Sequence, residues 1–202
     1  MKFLFPFLVG YILGGIPFSF LLGKLRGVDI RKIGSGNIGA TNLARACGKG
    51  WGITGFLLDA GKGWVGVWIG GNIALLLGGS QVWGGILGGV GSILGHNWTP
   101  FLRFRGGKGV ATSAGVFLGL APLPLLLSVG VWMVIFFISG YVSLASILSG
   151  ISLPLWMFYF GLPIPLKILG IITTLLIIYR HRENIRRLLQ GKELKFYTLW
   201  KR

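Results

Sequence analysis

Seven apolar runs separated by basic segments are the feature that most constrains how this chain can fold. The runs cover residues 3–23, 51–77, 82–95, 110–120, 123–139, 142–160 and 166–179. About 20 consecutive apolar residues cross the hydrocarbon core of a bilayer as a helix. Of the 202 residues, 53% are hydrophobic and only four are acidic, and no soluble domain of this size could bury that much apolar surface. The chain is therefore predicted to be an all-α integral membrane protein in which residues 1–202 form a single domain.

Charge placement indicates how many of these runs cross the bilayer. The run at 110–120 is short, and it could be a span of its own or half of a longer kinked helix with 123–139. Six basic residues follow the first run, three follow the third and eight follow the last, and cytoplasmic loops of membrane proteins are enriched in such residues. Fusing the fourth and fifth runs would move the eight-charge tail outside. We therefore predict a bundle of seven transmembrane helices, with the N-terminus outside and the C-terminus cytoplasmic.

The net charge of +16 has a second possible meaning, which is binding to nucleic acid. The charges lie between apolar runs and not on one soluble domain, so we assign them to membrane topology and expect no nucleic-acid partner.

Small residues four apart recur in the runs and predict close helix packing within one chain, so a monomer is expected. These pairs are Gly10 and Gly14, Gly66 and Gly70, Gly84 and Gly88, Gly91 and Gly95, and Gly115 and Gly119.

The first basic loop carries a glycine-rich stretch, GSGNIGATN at 34–42, followed by Arg45. Its glycines fit the dinucleotide fingerprint by spacing, but that motif requires a strand before it within a βαβ unit, whereas an apolar run precedes this one. Converging backbone N–H groups and a helix N-terminus would still favour a phosphate, and an arginine adds a planar fork of donors. An ordinary glycine turn with capping residues is the alternative. The candidate phosphate-binding residues here are Gly34, Ser35, Gly36, Asn37, Thr41, Asn42 and Arg45.

The second basic loop reads HNWTPFLRFRGGKGVAT at 96–112. It is not a Walker A loop, because Gly109 stands where serine or threonine is required after the lysine. Gly106, Gly107 and Lys108 nevertheless come directly before the short fourth helix, where backbone donors, the helix dipole and an ammonium group would act together on a bound phosphate. His96 is either a ligand or a residue that holds the loop.

Three further groups of polar residues complete the candidate set. Asp59 and Lys62 lie three apart within the second run, where they are expected to pair as residues that support the site or to contact the polar loops. The segment YRHREN at 179–184 is predicted to continue the last helix into the cytoplasm, so that His181 and Asn184 share one face. Ser143 lies at the uncharged turn between the fifth and sixth runs, on the predicted cytoplasmic side.

Together these motifs resemble the PlsY family of bacterial glycerol-3-phosphate acyltransferases. The resemblance rests on the two glycine-rich loops, YRHREN, the Asp59–Lys62 pair and the YVS turn, in the same order over essentially the whole chain. It implies transfer of a fatty acyl group from acyl phosphate to the 1-hydroxyl of glycerol 3-phosphate, giving lysophosphatidic acid and inorganic phosphate as the first step of phospholipid synthesis. It also implies a multi-pass protein of the bacterial inner membrane, in contact with the lipid bilayer.

The residues suggest how such a reaction would proceed. Acyl phosphate is already activated, so positioning and electrostatic stabilisation could supply most of the acceleration without a covalent nucleophile. Neither a cofactor nor a metal site is expected, because the sequence has no metal-ligand cluster. The hypothesis assigns phosphate binding to Ser35, Arg45, Lys108, Ser143, His181 and Asn184, and places Asn37, Thr41 and Asn42 at the reacting centre. His181 or a substrate phosphate would accept the hydroxyl proton.

A different class of function would also use polar loops and interrupted helices, namely a transporter or flippase of phosphorylated lipid precursors. The ionisable residues are predicted to cluster at the cytoplasmic face, which leaves the outer half without a polar path. A purely structural scaffold is a third possibility, and it would leave the convergent phosphate donors unexplained. The enzyme is therefore the preferred interpretation, with its active site on the cytoplasmic side.

Overall fold

A computed structural model describes residues 1–196, and every regular element in that range is helical. The ten α-helices are α1 Leu4–Gly15, α2 Phe18–Leu25, α3 Ala40–Cys47, α4 Lys49–Leu76, α5 Gln81–Asn97, α6 Val110–Leu120, α7 Pro122–Ser139, α8 Val142–Tyr159, α9 Ile164–Arg180 and α10 Arg182–Leu189. Two short 3₁₀ turns, Ile30–Lys32 and Pro100–Leu102, lie in the first and second basic loops.

The helices form two compact units, which meet in sequence between Leu120 and Ala121. In the first unit α1, α4 and α5 pack against one another, α6 packs on α4 and α5, and the short helices α2 and α3 pack on α4. In the second unit α8 packs between α7 and α9, and α10 contacts α8 and α9.

Glycine contacts bring the backbones of the first unit together. A Cβ on Gly88 of α5 would overlap the Gly66 carbonyl oxygen of α4, and one on Gly10 of α1 would overlap the Gly88 carbonyl oxygen. On α6, a Cβ on Gly115 would overlap the Ala60 carbonyl oxygen of α4. Helices can approach this closely only where side chains are missing. The prediction that small residues four apart mediate packing within one chain is confirmed at these positions.

Length and composition identify fewer unambiguous spans than the seven predicted. Within residues 1–196, three segments are long and apolar enough to cross a membrane, Leu4–Leu25, Pro122–Ser139 and Val142–Tyr159. The bent pair α9 and α10 could be a fourth, and Val110–Leu120 is a shorter apolar helix. The boundaries of that short helix are those predicted, and it is separate from α7. The count of seven spans and the orientation of the termini stay predictions.

The first apolar run is interrupted, whereas a continuous helix was expected. The helix stops at Gly15 and resumes at Phe18, because Pro17 has no N–H group to donate to a preceding carbonyl. Two of the carbonyl groups at the break receive side-chain donors: the Thr99 hydroxyl donates to the Gly15 oxygen over 2.6 Å, and the Lys62 ammonium donates to the Ile16 oxygen over 2.7 Å. Polar groups at this depth need such partners within the protein.

The last helix also differs from the prediction of one straight helix through residue 184. α9 ends at Arg180, and α10 starts at Arg182 with its axis bent by 58°. His181 occupies the bend, and its Nδ1 lies 2.8 Å from the Ile177 carbonyl oxygen, which also accepts the His181 backbone N–H over 3.0 Å. The imidazole and the backbone N–H of His181 thus share one carbonyl oxygen, and the helix axis changes direction at this residue.

We expect Gly63→Ala to destabilise the first unit and Gly61→Ala to leave it intact, although both positions lie in α4. A Cβ on Gly63 would overlap the Thr112 carbonyl oxygen of α6, whereas a Cβ on Gly61 meets nothing within 4 Å. Overpacking of this kind costs about 1–3 kcal/mol, while alanine in an open helical position gains roughly 0.5–1 kcal/mol. Thermal unfolding of the purified variants in detergent measures the difference, and equal melting temperatures would contradict the close contact.

Candidate active site

The first glycine-rich loop is held in shape by Asn42. This side chain is 1% exposed, and its amide donates to the carbonyl oxygens of Ile30 and Ile33 over 2.7 and 3.0 Å. Its oxygen accepts the Ser35 backbone N–H over 3.0 Å. Asn42 was predicted to line the reacting centre, which stays a prediction, and its carboxamide is buried and bonded to the loop backbone.

The glycines of this loop adopt conformations that other residues rarely do. Gly34 and Gly36 have φ values of +58° and +68°, in the left-handed region. A Cβ on Gly34 would also lie 2.5 Å from the Asn42 oxygen and 3.5 Å from Cδ of Arg45, so the loop passes directly over the stem of that arginine. The loop then ends in the first turn of α3, as predicted for a helix N-terminus beyond the glycines.

The other predicted residues of the first loop are half-buried around this frame. Asn37 accepts the Gly39 backbone N–H over 2.9 Å, which fixes the residue before α3. The side chains of Ser35 and Thr41 lie on either side of that turn, and both are half-buried. Their hydroxyl groups form no hydrogen bond to residues 1–196, so they are available as donors to a bound anion.

The second glycine-rich loop folds back onto the end of α5. The backbone N–H groups of Gly106 and Gly107 donate to the carbonyl oxygens of Asn97 and His96 over 3.2 and 3.0 Å. Gly109, with φ of +83°, then turns the chain into α6, and its carbonyl oxygen accepts the first hydrogen bond of that helix. Lys108 is half-buried between these anchored glycines and the helix start.

A small hydrophobic cluster joins the two loops. Phe20, Ile30, Ile38 and Leu43 are buried together beneath the first loop, and Leu102 of the second loop packs against them. Both loops of the first unit therefore rest on one apolar base. Arg45 and Lys108 belong to the two segments that border this base, and their convergence on one ligand stays a prediction.

The predicted pair of Asp59 and Lys62 exists, and it belongs to a larger buried network. Lys62 Nζ lies 2.8 Å from Asp59 Oδ1, and the Ser19 hydroxyl donates to Asp59 Oδ2 over 2.8 Å. His96 Nδ1 lies 3.7 Å from the same Oδ1. Asp59 is 1% exposed, and Lys62 and His96 are each 6% exposed, so the charges are shielded from water.

In the second unit, Ser143 and Asn184 converge on a residue that the sequence analysis did not single out. Glu193 Oε1 accepts the Ser143 hydroxyl over 2.9 Å and the Asn184 amide over 2.6 Å. Its other oxygen accepts the Arg187 Nε–H over 2.7 Å. A signal was present, because Glu193 is one of only four acids and stands in a strongly basic tail.

The Glu193 carboxylate is held in its charged form by these donors. Burial of the side chain opposes ionisation and raises its pKa, but hydrogen bonds from Asn184, Arg187 and Ser143 outweigh burial and lower the pKa below the ordinary glutamate value. His181 is 3% exposed at the bend between α9 and α10. The second unit therefore contains three buried polar residues named from the sequence, and two of them share one carboxylate.

We expect Glu193→Gln to remove part of the acid sensitivity of the protein. A carboxyl whose pKa is lowered by folding contributes stability above its unfolded value, 4.5, and loses it as the pH falls through the lower folded value. The wild-type melting temperature should therefore drop below about pH 4.5 more steeply than that of the variant, which should be less stable at neutral pH. Glu183→Gln is the matched control, since Glu183 is exposed on α10. Parallel pH profiles of wild type and Glu193→Gln would contradict the assignment.

Comparison with known proteins identifies the family. Residues 4–191 match the family model for glycerol-3-phosphate acyltransferase. A glycerol-3-phosphate acyltransferase of Aquifex aeolicus is 46% identical over 97% of this chain and 100% of its own length. One from Desulforudis audaxviator is 40% identical over 93% of this chain and 92% of its own length.

Two solved structures share the fold. A crystal structure of PlsY, an integral membrane glycerol 3-phosphate acyltransferase, in its glycerol 3-phosphate form has a TM-score of 0.91 at 45% identity and covers 100% of this chain and 98% of its own. The lysophosphatidic acid form has a TM-score of 0.88 at 42% identity and covers 100% of both chains. The chain is thus a multi-pass integral membrane protein that belongs to the glycerol-3-phosphate acyltransferase family.

Proposed function

We propose that this chain transfers a fatty acyl group from acyl phosphate to the 1-hydroxyl of glycerol 3-phosphate, giving lysophosphatidic acid and inorganic phosphate. The observation that carries the proposal is the match to the acyltransferase family over residues 4–191, together with the structural likeness to a PlsY protein in its glycerol 3-phosphate form. The family match extends across both units, which supports treating residues 1–202 as one acyltransferase domain.

The site residues fit a reaction in which both substrates carry phosphate. In the first unit, Arg45 and Lys108 supply positive charge above one apolar base, and the hydroxyl groups of Ser35 and Thr41 supply neutral donors. The N-terminus of α6 follows Lys108 after Gly109 and adds the positive end of a helix dipole. In this proposal Lys108 binds the phosphate of glycerol 3-phosphate, and Arg45 with the first loop binds the phosphate of the acyl donor.

The remaining predicted residues have supporting roles. Gly34, Gly36, Gly106 and Gly107 shape the two loops, and Asn37 and Asn42 hold the first loop in place. In the second unit we assign substrate contacts to Ser143, Asn184 and His181, the first two of which Glu193 orients. These roles require no bound metal or cofactor.

The proposed reaction is a direct displacement at the acyl carbon. The 1-hydroxyl oxygen attacks the carbonyl carbon of acyl phosphate, the bond from that carbon to the bridging phosphate oxygen breaks, and phosphate departs with the bonding electrons. The hydroxyl proton passes to His181 or to a substrate phosphate. Because His181 Nδ1 lies 2.8 Å from a backbone carbonyl oxygen, its proton is expected on that nitrogen, which leaves the lone pair for proton transfer on Nε2.

We further propose that the protein acts as a monomer in the bacterial inner membrane. The helices would form seven spans with the N-terminus outside, and the phosphate-binding loops would face the cytoplasm, where the basic residues gather. The acyl tail of the donor would then enter from the bilayer, while glycerol 3-phosphate would enter from water.

Lys108→Ala and Arg45→Ala should each lower turnover by about 10²–10³-fold, the usual effect of removing one preorganised donor from a charged reaction site. The measurement is product formation by purified protein, with the melting temperature in detergent as a check of folding. Lys32→Ala removes the same charge from an exposed position of the first loop and should retain wild-type activity. Near-normal turnover in both site variants would defeat the phosphate assignment.

A comparison of acyl donors tests the reaction itself. Purified protein supplied with glycerol 3-phosphate should form lysophosphatidic acid from acyl phosphate, and not from acyl-CoA or acylated carrier protein. Reconstituted vesicles address the transporter alternative, because labelled glycerol 3-phosphate should not enter them in the absence of acyl phosphate. Uptake without a donor, or equal rates with acyl-CoA, would contradict the proposal.

A further inference from the structure

The buried carboxylate of Asp59 contacts more groups than an ion pair within α4 requires. It accepts a hydrogen bond from the Ser19 hydroxyl of α2 and pairs with the Lys62 ammonium of α4, and it lies 3.7 Å from Nδ1 of His96 in α5. Lys62 in turn donates to the Ile16 carbonyl oxygen at the break between α1 and α2. One aspartate therefore connects three helices at the depth where the first span is interrupted.

The His96 side chain extends this network to the lysine loop. Its Nδ1 faces Asp59, while its Nε2 is so close to Gly107 that a Cβ on that glycine would overlap it. The backbone N–H of Gly107 also donates to the His96 carbonyl oxygen over 3.0 Å. Gly107 is thus held by both the main chain and the ring of His96, and the next residue is Lys108.

We propose that Asp59 is a positioning residue for Lys108 and that it acts through His96. The negative charge of the carboxylate orients the imidazole, so that the ring edge in contact with Gly107 sets the position of the ammonium group that follows. The inference rests on the proposed binding of glycerol 3-phosphate by Lys108. It extends that function by naming the buried groups that fix the geometry of the lysine.

Small displacements matter at such a site. A shift of about 1 Å in a group that positions substrate can cost 10²-fold in rate. If Asp59 served only to pair with Lys62, it would need no contact with the loop. His96 lies between Asp59 and Gly107, and a purely structural ion pair does not explain that placement.

The test uses the full-length protein in detergent and a neutral replacement of the pair, Asp59→Asn with Lys62→Gln. Replacing both partners avoids leaving one buried charge unpaired, which would unfold the protein for an unrelated reason. We expect the KM for glycerol 3-phosphate to rise about tenfold or more, while the KM for acyl phosphate stays within about twofold, the usual scatter of independent sites. Thr54→Ala is the matched control in α4, because its exposed hydroxyl donates only to the Gly50 carbonyl oxygen.

A double-mutant cycle with His96→Gln tests whether the effect passes through the imidazole. His96→Gln alone should raise the same KM, and its combination with the neutral pair should raise it no further than the larger single effect. An unchanged KM in the neutral pair, or effects that multiply in the combined variant, would overturn the inference.

If the neutral pair does not fold, Ser19→Ala provides the milder test, because it removes one hydrogen bond to Asp59 and no charge. A KM rise that disappears in the His96→Gln background supports the inference, and an unchanged KM overturns it.

Lys108→Ala separates the two proposals. If its KM for glycerol 3-phosphate is normal, the lysine assignment fails, whereas a raised KM there with a normal KM in the Asp59 variants defeats the present inference alone.

Discussion

Contact between helix backbones is the constraint on which the first unit depends. In a bilayer, apolar side chains gain little by leaving lipid for protein, so helices associate through close van der Waals contact and hydrogen bonds. Gly66, Gly88 and Gly115 allow α4, α5 and α6 to touch without intervening side chains. Gly55 of α4 likewise lets α2 approach closely, so that the Ser19 hydroxyl reaches Asp59.

The buried polar network is the second consequence of that proximity. An aspartate and a lysine at membrane depth are costly unless they are paired and hydrogen-bonded. Here they pair with each other, and the lysine also donates to the Ile16 carbonyl oxygen at the break in the first span. The break in the helix and the ion pair therefore stabilise each other. The lysine gives the carbonyl group at the break a donor, and that carbonyl group gives the buried lysine a second acceptor.

Much of this arrangement was predictable from the sequence because it depends on spacing. Apolar runs indicated the helices, the small residues four apart indicated their contacts, and the separation of Asp59 and Lys62 indicated a pair on one face. The break at Pro17 was missed because its neighbours are as apolar as the rest of the run, and the Lys62 contact that supports it is remote in sequence. The bend at His181 was missed because no proline or glycine marks it, and the contact of the imidazole with the Ile177 carbonyl oxygen is not encoded in the apolar pattern.

The sequence also did not indicate which polar residues bind one another and which remain available. Asn42 looked like a reacting group, yet tertiary structure directs its carboxamide to the backbone of its own loop. Glu193 looked like an isolated charge in a basic tail, yet it collects donors from Ser143, Asn184 and Arg187. Such assignments depend on contacts between distant positions, which periodicity and motif spacing do not contain.

An interface made of backbone has consequences for motion. Where α4 meets α5 around Gly66 and Gly88 there are few rotamers to rearrange, so association freezes little side-chain entropy. The same lack of rotamers removes the means by which packed helices usually absorb small shifts. The two helices are thus expected to move as one stiff body.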